Sequence, residues 1–343
     1  MKSILLPPLS ILYGAVTRTR LSMYRRGTFQ TTRLERPVIS VGNITTGGTG
    51  KTPLVEWVAR TLAATGKKVC ILTRGYGRKD PHVQVIVSDG YEVLASPSEA
   101  GDEPYLLATN LKGLAAVISS ADRIAAGQEA IKDFGSDCFV LDDGFQHLRL
   151  ARDLNILTLD ATNPWGGGSL LPYGRLRESP EGLSRADCIV LTRCDQAGKL
   201  DSLRAEISRL NENAPIFQSE MRTSRVSPLK NGSEPPIPPA RVAAFCAVGN
   251  PRSFFEHVRR AGYDLAFQKS FADHHVYSQD EIDAIVREAA ALAVTSLITT
   301  AKDAVKLRTL SFSIPCYALE IEMWIENADE LTRMVIKSSE FSL

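Results

Sequence analysis

The sequence carries almost no net charge, no close cysteine pair and no apolar run long enough to cross a bilayer, and each absence excludes something. A formal charge of +1 over 343 residues gives no global field that points to a nucleic-acid partner. Six cysteines, at 70, 138, 188, 194, 246 and 316, form no CxxC pair, and several border apolar stretches. That spacing favours buried thiols in a reducing compartment over a disulfide framework, and without clustered ligands it offers no structural zinc site. There is no internal repeat and no low-complexity tract. The apolar stretch at residues 4–16 contains Pro7 and Pro8 and is too short to span a membrane. Arg18, Arg20, Arg25 and Arg26 follow it, the reverse of the order in a secretory signal. With a helix starting near Pro8, Leu9, Leu12, Tyr13 and Val16 share one face. Such a helix can lie in a membrane interface with its arginines on anionic headgroups, or pack on its own domain.

What is present is an ordinary globular balance, 44% apolar and 23% charged, in a chain long enough for two domains. RPVISV, KKVCILT, the run 115–119, CFVL, the run 155–160 and the run 188–192 read as strands, with helical patterns between most of them. This alternation predicts an α/β fold with a mostly parallel sheet covered by helices on both faces. Residues 83–87 and 91–94 read as a hairpin about a Ser-Asp-Gly turn, and residues 98–110 as a helix capped by Ser98. KNGSEPPIPPAR reads as an exposed connection, after which a second, smaller α/β pattern begins. The expected segments are therefore 1–26, 27–229, a linker at 230–240, and 241–343.

The chemistry concentrates at strand ends. GNITTGGTGKTP follows VISV and leads into a helix, the order of a P-loop. The strict pattern GxxxxGK[ST] fails at its first position, which is Thr45, while Gly47 and Gly48 supply glycine inside the loop. In that reading Thr45, Thr46, Gly47, Gly48, Thr49 and Gly50 wrap phosphate oxygens, Lys51 balances the β- and γ-phosphates, and Thr52 meets magnesium. The apolar strand CFVL ends in Asp142 and Asp143, where a P-loop enzyme places its Mg²⁺ carboxylate. Asp142 is the preferred contact, with Asp143 sharing the metal or orienting its waters. Gln146 and His147 follow on the same loop. Arg74 and Arg78 lie beyond the second strand, Asp102 at the start of a helix, and Arg177 and Glu178 in a long glycine-rich loop. FADHHVY brings Asp273, His274 and His275 together without the further ligands a metal site requires.

Taken together, VGNITTGGTGKTP, RGYGRK, GDEP, VLDDGFQH, LLPYGRLRE, GNPRSFF, FADHHVYS and TTAKDAVK resemble the tetraacyldisaccharide 4'-kinase family, the lipid A 4'-kinases of Gram-negative bacteria. The ordered set runs through most of the chain, and the departure at Thr45 is shared by that family. The resemblance implies a P-loop NTPase-like fold that uses ATP and Mg²⁺. It implies phosphorylation of the 4'-hydroxyl of an acylated glucosamine disaccharide lipid, by a peripheral (monotopic) protein on an anionic membrane surface, at the cytoplasmic face of the inner membrane. No obligate protein partner is evident. The resemblance assigns the catalytic base to Asp102, assisted by His274 or, as a fallback, His275, with Lys51 and Thr52 in the P-loop roles. Asp142, Asp143, Gln146 and His147 match the magnesium and active-site strand end. Arg177 and Glu178, with Arg74, Arg78 and His275, are expected at phosphate or substrate. The pair of Asp102 and a histidine would assemble as the two domains close over a cleft and exclude water.

Two other classes are weighed against this. LTRCD, at residues 191–195, loosely imitates a guanine-reading NKxD loop without its Asn, so a GTPase or metal-delivery NTPase is one alternative; lipid-independent hydrolysis or a GTP preference would mark it. A non-enzymatic nucleotide-binding membrane scaffold is the other, marked by failure to turn over ATP with any acylated sugar.

Overall fold

The computed structural model describes residues 6–230, 235, 238, 240–273 and 275–340. The chain forms two compact units, residues 1–220 with 323–343, and residues 221–322.

The first unit opens with α1 (Leu6–Arg25), followed by β1 (Val38–Asn43), α2 (Lys51–Ala63), β2 (Val69–Thr73) and β3 (Val85–Ser88). Next come α3 (Pro97–Ala100), α4 (Asp102–Asn110), β4 (Ala115–Ser119), α5 (Arg123–Phe134) and β5 (Cys138–Asp142). The unit continues through β6 (Leu154–Asp160), β7 (Cys188–Thr192) and α6 (Leu200–Leu210), and β8 (Ile216–Pro228) carries the chain out of it. Its sheet runs β8-β7-β6-β1-β5-β2-β4-β3. Every pairing is parallel except that of β3 with β4. β1, β2, β5, β6 and β7 are buried along their whole length, which is why they read as unbroken apolar runs rather than alternating ones. One core layer packs Leu34, Leu72, Ile118, Phe139 and Leu141 with α5. Another packs Ile44, Phe145, Leu157, Ile189 and Leu191 with α6. α5 is closed at both ends: the Asp122 side chain accepts from the amides of Ile124 and Ala125, and Gly135 ends the helix in the left-handed conformation.

The second unit holds β9 (Arg241–Cys246), α7 (Pro251–Arg260), β10 (Asp264–Ser270), α8 (Gln279–Ala291), β11 (Leu297–Thr300), α9 (Ala301–Leu307) and most of β12 (Cys316–Ile325). Its strands run β10-β9-β11-β12, all parallel. Ser278 and Glu281 form the expected capping box on α8.

Two local expectations change. The helix expected over 98–110 is two helices, α3 and α4, broken at Gly101 (φ 91°, ψ 153°), and its cap is Ser96 rather than Ser98. Asp102 is the first residue of α4, at a helix start as the sequence places it. The expected hairpin is reduced to an isolated bridge between Ser88 and Val93, and β3 pairs along its length with β4 instead. The C-terminal helix α10 (Ala328–Ser338), whose packing partner the sequence leaves open, belongs to the first unit and packs on α2. Much of the expected linker (231–234, 236, 237 and 239) lies outside the described residues.

Candidate active site

The loop between β1 and α2 is held at several points by its neighbours. Thr49 Oγ1 accepts from Asn43 Nδ2 at 2.8 Å and shares a hydrogen bond with Thr158 Oγ1 at 3.2 Å. Thr192 Oγ1 donates to the Thr49 carbonyl at 3.0 Å. Arg193 donates to the Gly48 carbonyl and forms an ion pair with Asp160, both residues being buried. On the other side the Thr46 amide donates to the Arg175 carbonyl and the Arg177 amide to the Ile44 carbonyl, each at 2.7 Å. Gly47 (φ 106°) and Gly50 (φ 80°) take the left-handed turns that aim the loop into α2. Thr45 is buried, and Lys51 and Thr52 open the helix, half-buried.

The acidic end of β5 faces this helix start. Lys51 Nζ lies 3.5 Å from Asp143 Oδ1. Arg177 donates to both oxygens of Asp143, at 2.8 and 2.7 Å. Burial alone would raise the Asp143 carboxyl, but the Lys51 and Arg177 cations outweigh it and hold the group below its ordinary value. Asp142 is buried and accepts from Thr73 Oγ1 at 2.9 Å. Burial, with the charges of Glu103 and Asp143 added, pushes its pKa up to about 6. Two adjacent carboxylates are thus driven apart: one is held ionised, and the other is poised to gain from a nearby cation.

The loop after β5 is an organised turn. Arg152 donates to the carbonyls of Gly144, Phe145, His147 and Leu150. Gln146 Nε2 donates to the Asn43 carbonyl and to Glu178 Oε1, each at 2.7 Å. Glu178 also takes an ion pair from Arg185 at 2.7 Å. His147 Nδ1 lies 3.3 Å from Arg123 NH1; an arginine only donates, so Nδ1 accepts and the ring proton resides on Nε2. Burial first, then the Arg123 charge, pushes the His147 pKa down to about 4, so the imidazole is neutral at pH 7.

The expected site residues therefore divide. Thr45–Thr52, Asp142, Asp143, Gln146, Arg177 and Glu178 come together around the β1 and β5 ends. Glu103 stands near enough to Asp142 to raise its pKa, and Asp102 precedes it at the head of α4. Arg74 is exposed beyond β2. Arg78 is buried and donates to the Ser119 and Pro81 carbonyls. His275, in the second unit, stacks on Phe271 with ring centroids 4.8 Å apart and meets Glu281 at 3.0 Å. His274 lies outside the described residues. The sequence reading missed Arg123, Arg152 and Arg193. The last sits in LTRCD, the string that imitates a base-reading loop, and here it grips the P-loop backbone. Among the described residues no three His, Cys, Asp or Glu side chains converge for a metal.

This geometry accompanies similarity along nearly the whole chain. The family model for tetraacyldisaccharide-1-P 4'-kinase matches residues 2–340. A tetraacyldisaccharide 4'-kinase of Geobacter metallireducens is 43% identical over 337 residues, covering 97% of each chain. One of Geobacter sulfurreducens is 44% identical over 316 residues, 91% of this chain and 86% of the relative. The crystal structure of LpxK from Aquifex aeolicus in complex with ATP superposes with a TM-score of 0.76 at 32% identity, covering 97% of this chain and 98% of that one. The chain belongs to the tetraacyldisaccharide 4'-kinase family.

Proposed function

We infer that the protein transfers the γ-phosphoryl group of ATP to the 4'-hydroxyl of a tetraacylated glucosamine disaccharide 1-phosphate. The observation that carries this is the P-loop lysine set against the β5 carboxylates, in a chain that matches the family along its length. Lys51 balances charge on the transferred group, and the tethered loop presents its helix-start amides to the phosphates. Thr52, Asp142 and Asp143 fit Mg²⁺: they are hard oxygen donors, and a P-loop magnesium needs only a hydroxyl and a carboxylate from protein, with phosphate and water completing its shell. Bound there, Mg²⁺ neutralises charge on the β- and γ-phosphates. Asp102 accepts the proton of the attacking hydroxyl late in the step, with His274 as the assisting residue the family implies. A neutral His147 holds Arg123, whose charge lies near Asp142 and Asp143.

No helix among the described residues is long and apolar enough to cross a membrane. α1 instead exposes Leu9, Ile11, Leu12 and Val16, while Ser10 and Gly14 are buried against the protein. Tyr13, expected on the apolar face, turns inward and donates to the Arg177 carbonyl. One face of this segment docks on the protein, and the other would fit a peripheral seat on an anionic membrane. The cytoplasmic face of the inner membrane is the location proposed. The test is transfer of radiolabelled γ-phosphate from ATP to tetraacylated disaccharide 1-phosphate in detergent micelles. Lipid-dependent incorporation supports the reading, and ATP hydrolysis indifferent to lipid overturns it.

A further inference from the structure

α1 does more than expose an apolar face. Its inward face holds the segment that carries Arg177. Ser10 Oγ donates to the Leu170 carbonyl at 2.8 Å, Tyr13 OH to the Arg177 carbonyl at 2.9 Å, and Arg20 to the Gln146 carbonyl at 3.3 Å. Gly14 lets the helix approach closely: a Cβ there would lie 2.7 Å from Leu170 Cδ1. The far side of the same segment is bonded to the P-loop. The Arg177 amide donates to the Ile44 carbonyl and the Arg175 carbonyl accepts from the Thr46 amide, while Arg175 Nε donates to the Thr46 carbonyl at 3.2 Å. From this clamped backbone the Arg177 side chain reaches both oxygens of Asp143, whose Oδ1 also meets Lys51.

We propose that Tyr13 is a positioning residue for phosphoryl transfer, acting through Arg177. Its hydroxyl holds the Arg177 carbonyl from the α1 side while the Ile44 carbonyl at the P-loop entry holds the Arg177 amide from the other. The guanidinium is thereby delivered to Asp143 in one orientation, and Asp143 is kept in register with Lys51. The helix that offers Leu9, Leu12 and Val16 outward is then a structural part of the phosphate-handling end, and its seating sets turnover as well as location. Electrostatic groups that strengthen in the transition state are sensitive to small misplacement, so the effect belongs in kcat. This inference rests on the kinase reading above.

The test is a double-mutant cycle of Tyr13→Phe and Arg177→Lys, with kcat and KM measured on detergent-dispersed lipid so that membrane access does not enter. Loss of one hydrogen bond corresponds to about a fivefold effect. Tyr13→Phe is expected to lower kcat by about that factor, with KM for the lipid unchanged and the melting temperature lowered by no more than about 2–4 °C, and to add nothing in the Arg177→Lys background. An unchanged kcat, or the same loss in both backgrounds, overturns the proposal. If Tyr13→Phe lowers the melting temperature by more than that, Ser10→Ala, which releases the same segment at Leu170, replaces it in the cycle under the same two criteria. Absence of lipid phosphorylation by the unmodified enzyme would instead strike the kinase reading, so the two failures are distinguishable.

Discussion

Removing Arg193 separates stability from nucleotide binding. Arg193 and Asp160 are each 8% exposed and paired with one another. Asp160 Oδ1 is also held by the Thr162 amide at 3.0 Å and the Thr162 hydroxyl at 2.6 Å, so Arg193 answers the other oxygen. The second arm of the guanidinium holds the Gly48 carbonyl. Arg193→Ala takes this cation away from a buried carboxylate, which costs about 3–5 kcal/mol. Adding Asp160→Asn removes that stranded charge and is expected to restore about 1 kcal/mol or more. The Gly48 contact is not restored. A charge-assisted bond to a carbonyl is worth about 1.5–3 kcal/mol, so ATP affinity is expected to fall roughly tenfold in Arg193→Ala and to stay low in the double variant. Asp160→Asn alone keeps the arginine on Gly48 and is expected to bind ATP better than either. Urea denaturation gives the stabilities, and titration with a fluorescent ATP analogue gives the affinities. If ATP affinity recovers together with stability in the double variant, Arg193 acts through global stability and the P-loop account of it is wrong.

Further consequences are as direct. Lys51→Ala is expected to lower turnover by about a hundredfold or more while the fold survives, since Asp143 keeps Arg177; near-normal turnover in the folded variant would refute the P-loop assignment. In metal-free protein Asp142 has its pKa raised from 3.8 to about 6, so the native state binds its proton more tightly than the unfolded chain, and wild-type stability falls as pH rises through that window. Asp142→Asn lacks this penalty. It is expected to be more stable than wild type above pH 6 by up to roughly 3 kcal/mol, with no gain below about pH 4, and yet to be defective in turnover, a defect partly relieved by excess magnesium; parallel stability curves from pH 4 to 8 would contradict the burial argument. Replacing Leu9, Leu12 and Val16 of α1 by Ser is expected to weaken co-sedimentation with anionic vesicles at least tenfold, from the apolar area lost; full sedimentation would move the membrane contact elsewhere.

The parts of the site legible in the sequence are those whose chemistry is local. GKT after a buried strand, and an apolar strand ending in two aspartates, name their roles because strand, loop and helix are adjacent in the chain. The arginines are different. Arg78 and Arg193 both follow strands beside polar residues, and nothing local separates them. Arg78 is spent on Ser119 because β2 pairs with β4, and Arg193 reaches Gly48 across 145 residues of chain. The amphipathic pattern of the last helix shows that one face is buried and not that α2 covers it. In α1 the spacing of apolar residues is right, but Tyr13 carries a hydroxyl that finds a carbonyl 164 residues away, so it leaves the apolar face it shares on a helical wheel. At residues 98–110 the helical periodicity persists through Gly101, and the break there, with its positive φ, is not visible in periodicity.

The most direct measurement of the central claim is where the phosphate goes. The purified enzyme, given ATP, Mg²⁺ and a tetraacylated disaccharide 1-phosphate in micelles, is expected to yield a bis-phosphorylated lipid. In proton–phosphorus correlation NMR its new phosphorus signal is expected to couple to the proton at the 4' carbon, and Asp102→Ala, still binding ATP, is expected to yield none. A new phosphate on any other hydroxyl, or release of inorganic phosphate with the lipid unchanged, would contradict the account.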